Sequence, residues 1–334
     1  MGKPDTKNII KAGAPPELKP QFTQPDGWHW DWVKNDQDQY LRCGWTMPDL
    51  PEGQTPKGFV VIAPGLSEFC EKYFEIIRDL KQDGYAVAIM EWRGHGYSHR
   101  HIEDRQRRHS DGFENDVADF HCFIKKLKTI RKNNGLDKIK TALLAHSMGG
   151  NISLRYLHDK PNHFDSATFS SPMFGIKLSA PQRSVLKPVC SVFNRMGKGD
   201  WYAPGQGKWT PIKYAITQLS LSSDKERRKT QGLWFEWNED LVAGGVTYDW
   251  LMEAQKSCDI IQNPDFLANI KTPCMIGIAE DEVIVDNKDI LKTATGLPNA
   301  QVIEYPKARH ELMMEKDAIR NAFLTDFKSF AFKL

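Results

Sequence analysis

The chain has 334 residues with 45 basic and 43 acidic side chains, a formal net charge of +2 with histidines neutral. Hydrophobic residues make up 40% and aromatics 11%, too apolar for a disordered chain and enough for a large core. The near balance of charge excludes a nucleic-acid binder that relies on a bulk positive field, and no run approaches the roughly 18 consecutive apolar residues of a membrane span.

Residues 1–25 carry Pro4, Pro15, Pro16 and Pro20 with little periodicity, and read as an extended arm over the surface. Gly2 and Thr6 fit the short myristoylation pattern, a match too brief to carry weight. The start is polar, with no secretory apolar segment. Cys43, Cys70, Cys122, Cys190, Cys258 and Cys274 form no Cys-x-x-Cys pair. They are expected as reduced thiols of a cytoplasmic protein, without a metal site.

From Trp28 to Met47 aromatic and polar residues alternate, as in an antiparallel opening of a sheet. Short apolar runs follow at Gly58 to Ala63, Tyr85 to Glu91, Thr141 to Ala145, Ala167 to Phe169, Cys274 to Ala279 and Gln301 to Tyr305, most of them suited to strands buried on both faces. Between them, Phe113, Val117, Phe120, Ile124 and Leu127 recur at helical spacing behind an Asp111…Glu114 capping pair and before Gly135. Strands alternating with helices predict an α/β fold with a mostly parallel sheet. The 88 residues from 175 to 262 break this rhythm: they hold Trp201, Tyr202, Trp209, Trp234, Trp237 and Trp250 and no clear buried strand. The organisation expected is an arm (1–25), a core in two parts (26–174 and 263–334), and a helical lid inserted between them (175–262).

The strongest local signal is Leu143-Leu144-Ala145-His146-Ser147-Met148-Gly149-Gly150, an apolar strand running into a serine, two glycines and a helix. A turn that sharp exposes the serine and requires small residues two positions to either side, here Ala145 and Gly149. A serine hydroxyl needs a neutral imidazole to take its proton and a carboxylate to orient that imidazole. In the order Ser, acid, His, the base is His310, after the last strand and before the C-terminal helix. The acid should follow the strand ending at Ala279, where Glu280, Asp281 and Glu282 compete; register leaves Glu282, preferred, and Asp281 as the alternatives. Gly65 follows another strand end, where it lets backbone N–H groups turn toward the active centre. The Gly94-His95-Gly96 loop lacks the third glycine of a dinucleotide fingerprint. The run Arg105-Gln106-Arg107-Arg108-His109 reads as a solvated surface, or as a patch for anionic lipid headgroups.

From about residue 55 onward the chain resembles the lysophospholipase L2-like and monoacylglycerol-lipase-like branch of the α/β-hydrolases. The resemblance lies in the blocks Pro64 to Tyr73, Glu91 to Ser98, Ala145 to Gly150, Gly199 to Gly205 and Ala308 to Glu311. Ala279 through Asp286 fits the family's acid loop with Glu282 as acid. Pro64-Gly65, where monoacylglycerol lipases usually carry His-Gly, tilts the likeness toward the lysophospholipase group. The resemblance implies an α/β-hydrolase fold and oxyanion donors at the main-chain N–H groups of Leu66 and Met148. It also implies a monoacyl lipid ester as substrate, most of all a lysophospholipid, and no metal or organic cofactor. Gly65, Met173, Phe174 and Trp201 are the expected substrate-binding residues. Contact with a membrane, at the face of the inner membrane, would be peripheral. Other readings on the same fold are a monoacylglycerol or general carboxylesterase and a serine aminopeptidase that uses Glu236, Glu239 and Asp240 on the substrate's amine. A non-catalytic hydrolase-fold binding protein is a further alternative.

Overall fold

A computed structural model describes residues 13–333, and the arm's earlier part, including Gly2, Pro4 and Thr6, lies outside the described residues. Apolar runs become strands β1 (His29–Lys34), β2 (Tyr40–Thr46), β3 (Phe59–Ala63), β4 (Ala86–Met90), β5 (Thr141–His146), β6 (Ser166–Ser170), β7 (Cys274–Ala279) and β8 (Ala300–Tyr305). They form one sheet in the order β1-β2-β4-β3-β5-β6-β7-β8. β1 and β2 are antiparallel to their neighbours and the remaining pairs are parallel.

Strand periodicity divides the core in two, since successive side chains point to opposite faces. Phe59, Val61 and Ala63 of β3 join helices α2 (Phe113–Asn133), α3 (Ser147–Asp159) and α9 (Asn287–Gly296) on one face. Val60 and Ile62 join α1 (Phe74–Gln82) and α10 (Asp317–Lys333) on the other. Every residue of β3, β4 and β5 is buried, as strands covered on both faces require.

Two local expectations are corrected. Helix α2 begins without a side-chain cap: Gly112 holds the N-cap position with φ +123°, and Asp111 turns toward Arg93 at 3.6 Å and His101 at 3.7 Å. The arm is not purely extended, because Pro20–Phe22 forms a short 3₁₀ turn that buries Phe22, with Leu18 also buried beside α1.

Between β6 and β7 lie α4 (Ala180–Arg195), α5 (Pro211–Leu221), α6 (Arg227–Trp237), α7 (Tyr248–Ile261) and the short α8 (Pro264–Ala268). α7 packs into the main core, where Ser257 donates to Asn151 of α3 at 2.5 Å and Trp250 is buried. Trp234 is buried too, whereas Trp201 and Trp237 remain exposed.

At the antiparallel end, the wholly buried Arg42 spans Glu71 at 2.8 and 2.6 Å and Glu91 at 3.0 Å, its guanidinium held between the rings of Trp30 and Tyr97. Removing the cation leaves two buried carboxylates uncompensated. Arg42→Met should therefore lower the unfolding free energy by about 3–5 kcal/mol, measured by urea denaturation.

Candidate active site

Ser147 stands where β5 ends and α3 begins, with φ +48°. A non-glycine residue there carries strain of about 1–3 kcal/mol, a feature found where a functional group must be presented. The turn is possible because the second and third residues after Ser147 have no side chain. A Cβ on Gly149 would lie 2.4 Å from the carbonyl oxygens of Ala63 and Pro64, and one on Gly150 would lie 2.7 Å from Pro172. Helix α3 is thereby pressed against the end of β3. Its first turn leaves the Met148 N–H without an intrahelical acceptor, at the positive end of the helix dipole.

His310 sits in the loop after β8. Its Nδ1–H donates to Glu282 Oε2 at 2.7 Å, and its Nε2 accepts from Ser147 Oγ at 2.9 Å. Glu282 follows β7 and is held by the N–H groups of Ile284 and Val285 at 2.7 and 3.3 Å. Burial alone would raise the Glu282 carboxyl; His310 and those two N–H groups outweigh it and hold the carboxyl below its usual range. Asp281 is exposed, its N–H donating to Ala308 O at 2.9 Å, and Glu280 accepts from the Lys307 N–H at 2.8 Å. The structure thus brings Ser147, His310 and Glu282 into one hydrogen-bonded chain and leaves Asp281 outside it.

In the loop after β3, Gly65 donates its own N–H to Glu68. The residue with positive φ is Ser67, at +64°. Gly65 is small because Glu68 Oε2 and the His146 ring lie 2.9 Å from where its Cβ would be. Leu66, between Gly65 and Ser67 in the chain, is part-buried and packs against the core cluster that includes Met148.

Beneath these loops lies a charged network that sequence reading did not find. Lys72 Nζ donates to Glu68 at 2.7 Å, to Glu311 at 2.6 Å and to Gln231 of α6 at 3.1 Å. Tyr73 donates to Glu68 at 2.5 Å, and Gln231 Nε2 donates to Ser67 O at 2.9 Å. Burial alone would raise the Glu68 carboxyl, yet Lys72, then His146, bring it down to about 2. Glu68, His146 and Glu311 cluster within 4.8 Å, a donor set that could hold a metal ion. The Lys72 ammonium already occupies the two carboxylates, so the compensating positive charge is built into the chain. The signal available in sequence was the Glu68…Lys72 spacing, but its partner Glu311 lies 239 residues away.

The expected substrate-binding residues fare unevenly. Gly65 is walled in as described. Met173 is buried, with its N–H on Ser147 O at 2.9 Å. Phe174 is a core residue, wholly buried with its ring 5.5 Å from that of Phe169, so it offers no surface to a ligand here. Trp201 lies exposed on the lid under the Lys198 ammonium. The basic run is not a uniformly solvated face, because Arg108 is 1% exposed. A cavity of about 400 Å³ lined by Trp30, Glu71, Phe74, Tyr97 and Trp234 opens beside Arg42, and no triad residue lines it.

Comparison with known proteins places this geometry. A family model described as serine aminopeptidase, S33, matches residues 54–317. The chain is 32% identical over 281 residues to a protein of Haemophilus influenzae named "Probable lysophospholipase L2", covering 84% of this chain and 85% of that one. It is also 32% identical to the lysophospholipase L2 of Escherichia coli, over 79% of this chain and 77% of that one. Among solved structures, a soluble variant of monoglyceride lipase from Saccharomyces cerevisiae, bound to a substrate analog, superposes with a TM-score of 0.73 at 19% identity. The match covers 96% of this chain and 99% of that one. At that identity the likeness is one of fold, the α/β-hydrolase fold.

The two loop acids separate by mutation. Glu282→Gln leaves His310 free to adopt the wrong tautomer and should cut kcat on the order of a thousandfold or more. Asp281→Asn, on an exposed side chain, should leave kcat within about threefold. Steady-state ester hydrolysis by both variants checks this.

Proposed function

The chain belongs to the family described as serine aminopeptidase, S33, and we propose that it is a serine hydrolase cleaving the carboxylic ester of monoacyl lipids, lysophospholipids foremost. The observation that carries this reading is the hydrogen-bonded chain from Ser147 through His310 to Glu282, together with relatives named lysophospholipase L2 over most of the chain.

The chemistry follows from the geometry. Ser147 Oγ attacks the ester carbonyl carbon while His310 Nε2 takes its proton, and Glu282 stabilises the imidazolium. The tetrahedral oxyanion faces the N–H groups of Leu66 and Met148, each such donor typically stabilising the transition state by about 2.7–4 kcal/mol. Collapse breaks the bond to the alcohol oxygen, which leaves with the proton from His310 as the deacylated glycerophospho-alcohol. Water, deprotonated by the same imidazole, then attacks the acyl-enzyme; the fatty acid departs and Ser147 regains its proton.

A specific observation weighs against the aminopeptidase alternative. Glu236, Glu239 and Asp240 are exposed, and Asp240 already has a cation, Arg105, at 3.8 Å. Peripheral contact with a lipid surface belongs to the same proposal, as does a cytoplasmic place facing the inner membrane. No helix among the described residues is long and apolar enough to cross a membrane. Helix α5 nevertheless exposes Ile212 (77%), Ile216 (65%) and Leu219 (49%) at spacings of four and three, an apolar stripe of the kind that enters an interface.

Ser147→Ala should abolish labelling by a fluorophosphonate probe and lower ester turnover by several orders of magnitude while circular dichroism stays unchanged. Given lysophosphatidylcholine, monoolein, p-nitrophenyl butyrate and an aminoacyl anilide, the wild type should favour the lysophospholipid and leave the anilide intact; anilide turnover would put the aminopeptidase in its place. Ile212→Ser with Ile216→Ser should reduce retention on phosphatidylcholine vesicles several-fold, and unchanged retention would remove α5 as the contact.

A further inference from the structure

Eight lysine and arginine residues are buried among the described residues: Arg42, Lys72, Lys81, Arg93, Arg108, Arg155, Arg227 and Arg320. Seven of them have a carboxylate oxygen within 4 Å. Arg108 has none. Its Nη1 donates to the Gly94 carbonyl and its Nη2 to Val242 O at 3.2 Å, while its Nε is buried without a partner.

The part-buried Arg100 converges on the same place. Its Nη1 donates to that same Gly94 oxygen and its Nη2 to Gly96 O at 2.6 Å, and its Nε too is buried without a partner. Arg100 also lacks a carboxylate within 4 Å among the described residues, its acidic neighbour Asp240 offering only a carbonyl at 3.4 Å. Two guanidiniums thus crowd one neutral oxygen. Burial, then Arg105, draws Arg100 down to about 9, and burial, then Arg100, pushes Arg108 well below its usual range. A third unsatisfied donor adjoins them: the Tyr202 hydroxyl is buried without a partner. Tyr202 bridges to Thr247, whose N–H donates to Arg108 O at 2.9 Å.

Unpaired buried charge is costly unless something completes it. What these three buried donors lack is an acceptor; an anion would supply one, and the guanidinium fork matches phosphate in particular. The place also suits the ester site. Gly94 lies just past β4, at the same end of the parallel strands as Ser147. Trp92 Nε1 donates to Pro64 O at 2.7 Å, and that carbonyl also abuts Gly149. Val242, Gly245 and Tyr202 come from the lid insertion, so the donors line the seam between lid and core.

The geometry points to Arg100, Arg108 and Tyr202 as an anion subsite that receives the phosphate of a phosphorylated monoacyl lipid while Ser147 engages its ester. The subsite rests on the lysophospholipid reading above and adds what separates such a substrate from a neutral monoacylglycerol. Free inorganic phosphate shares the chemistry, and the experiment tells the two sources apart.

The test compares kcat/KM for oleoyl lysophosphatidylglycerol and for monoolein, in the wild type and in Arg108→Gln and Arg100→Gln, with fluorophosphonate labelling as the check on folding. Loss of a charge-assisted donor at the headgroup should lower the ratio of the two kcat/KM values on the order of ten- to a hundredfold. Inorganic phosphate should inhibit wild-type lysophospholipid hydrolysis competitively and raise its melting temperature, with a diminished rise in the variants. A ratio unchanged within about threefold, or an equal loss on both substrates, overturns the headgroup subsite, even where phosphate still stabilises the wild type. If Arg108→Gln does not fold, Arg100→Gln at the part-exposed edge of the seam decides. If the wild type cleaves monoolein but no lysophospholipid, the substrate reading fails by itself. The anion site is then judged by phosphate alone: a melting shift lost in the variants sustains it, and no shift in the wild type overturns it.

Discussion

The close approach of helix α3 to the end of β3 is the constraint on which the rest of the site depends. Only a residue without a side chain fits at 149, where two carbonyl oxygens stand 2.4 Å from the Cβ position. That contact sets the sharpness of the turn, and the turn sets the strained φ of Ser147. Strain of about 1–3 kcal/mol is modest beside what holds the elbow in place. Leu143 and Leu144 of β5 are each fully buried, and a single such side chain stabilises by about 1.5–3 kcal/mol. The flanking strands therefore hold the serine in a conformation it would not choose alone, and the dipole end of α3 comes to the reacting centre as a by-product.

The second organising element is electrostatic. Lys72 ties the loop bearing Leu66, through Glu68, to the loop bearing His310, through Glu311. An ion pair at about 4 Å in an effective dielectric near 20 is worth about 4 kcal/mol, and two such pairs set against one buried ammonium make the arrangement tolerable where a single pair would struggle. Gln231 extends the tie to helix α6 of the lid, accepting from Lys72 and donating to Ser67 O. Helix α6 is thereby hydrogen-bonded to the loop after β3 at Ser67, one residue from Leu66.

Much of this was legible in sequence, and the exceptions have physical causes. β3 and β5 announce themselves because strands buried on both faces must be apolar throughout; β1 and β2 are found from aromatic and polar alternation, although their burial does not alternate and β2 is buried from Leu41 to Gly44. β6 was underestimated at its ends: Ser166 and Ser170 are buried polar residues whose backbones pair with β5, and composition does not reveal that pairing. The helix start at Gly112 was misread because Asp111 and Glu114 have the spacing of a capping pair, while the glycine between them takes the cap position and frees Asp111 for Arg93. Ser147 and His310 stood out because chain order and strand ends constrain them. The Lys72 network did not, since its members are ordinary charged residues until the fold joins them. Phe174 followed a strand end and so resembled a pocket residue, but its neighbour Met173 is pinned by the Ser147 carbonyl, which turns the next ring into the core.

The balance of charge met at the outset has a finer structure than its sum of +2 suggests. This fold has no shortage of carboxylates: Arg42 receives two, Lys72 two, and Arg227 is met by Glu75 and Asp317. Acids also lie close to the exceptional pair. Arg105 and Arg107, on either side, reach Asp240 and Asp200, yet Arg100 and Arg108 are given only carbonyl oxygens. Among the buried cations of the described residues Arg108 alone has no carboxylate within 4 Å, and it lies where residues 94 and 242–245 meet. In the subsite proposed above, a neutral lipid leaves the deficit at Arg108 unmet, whereas the phosphate of a phosphorylated lipid meets it.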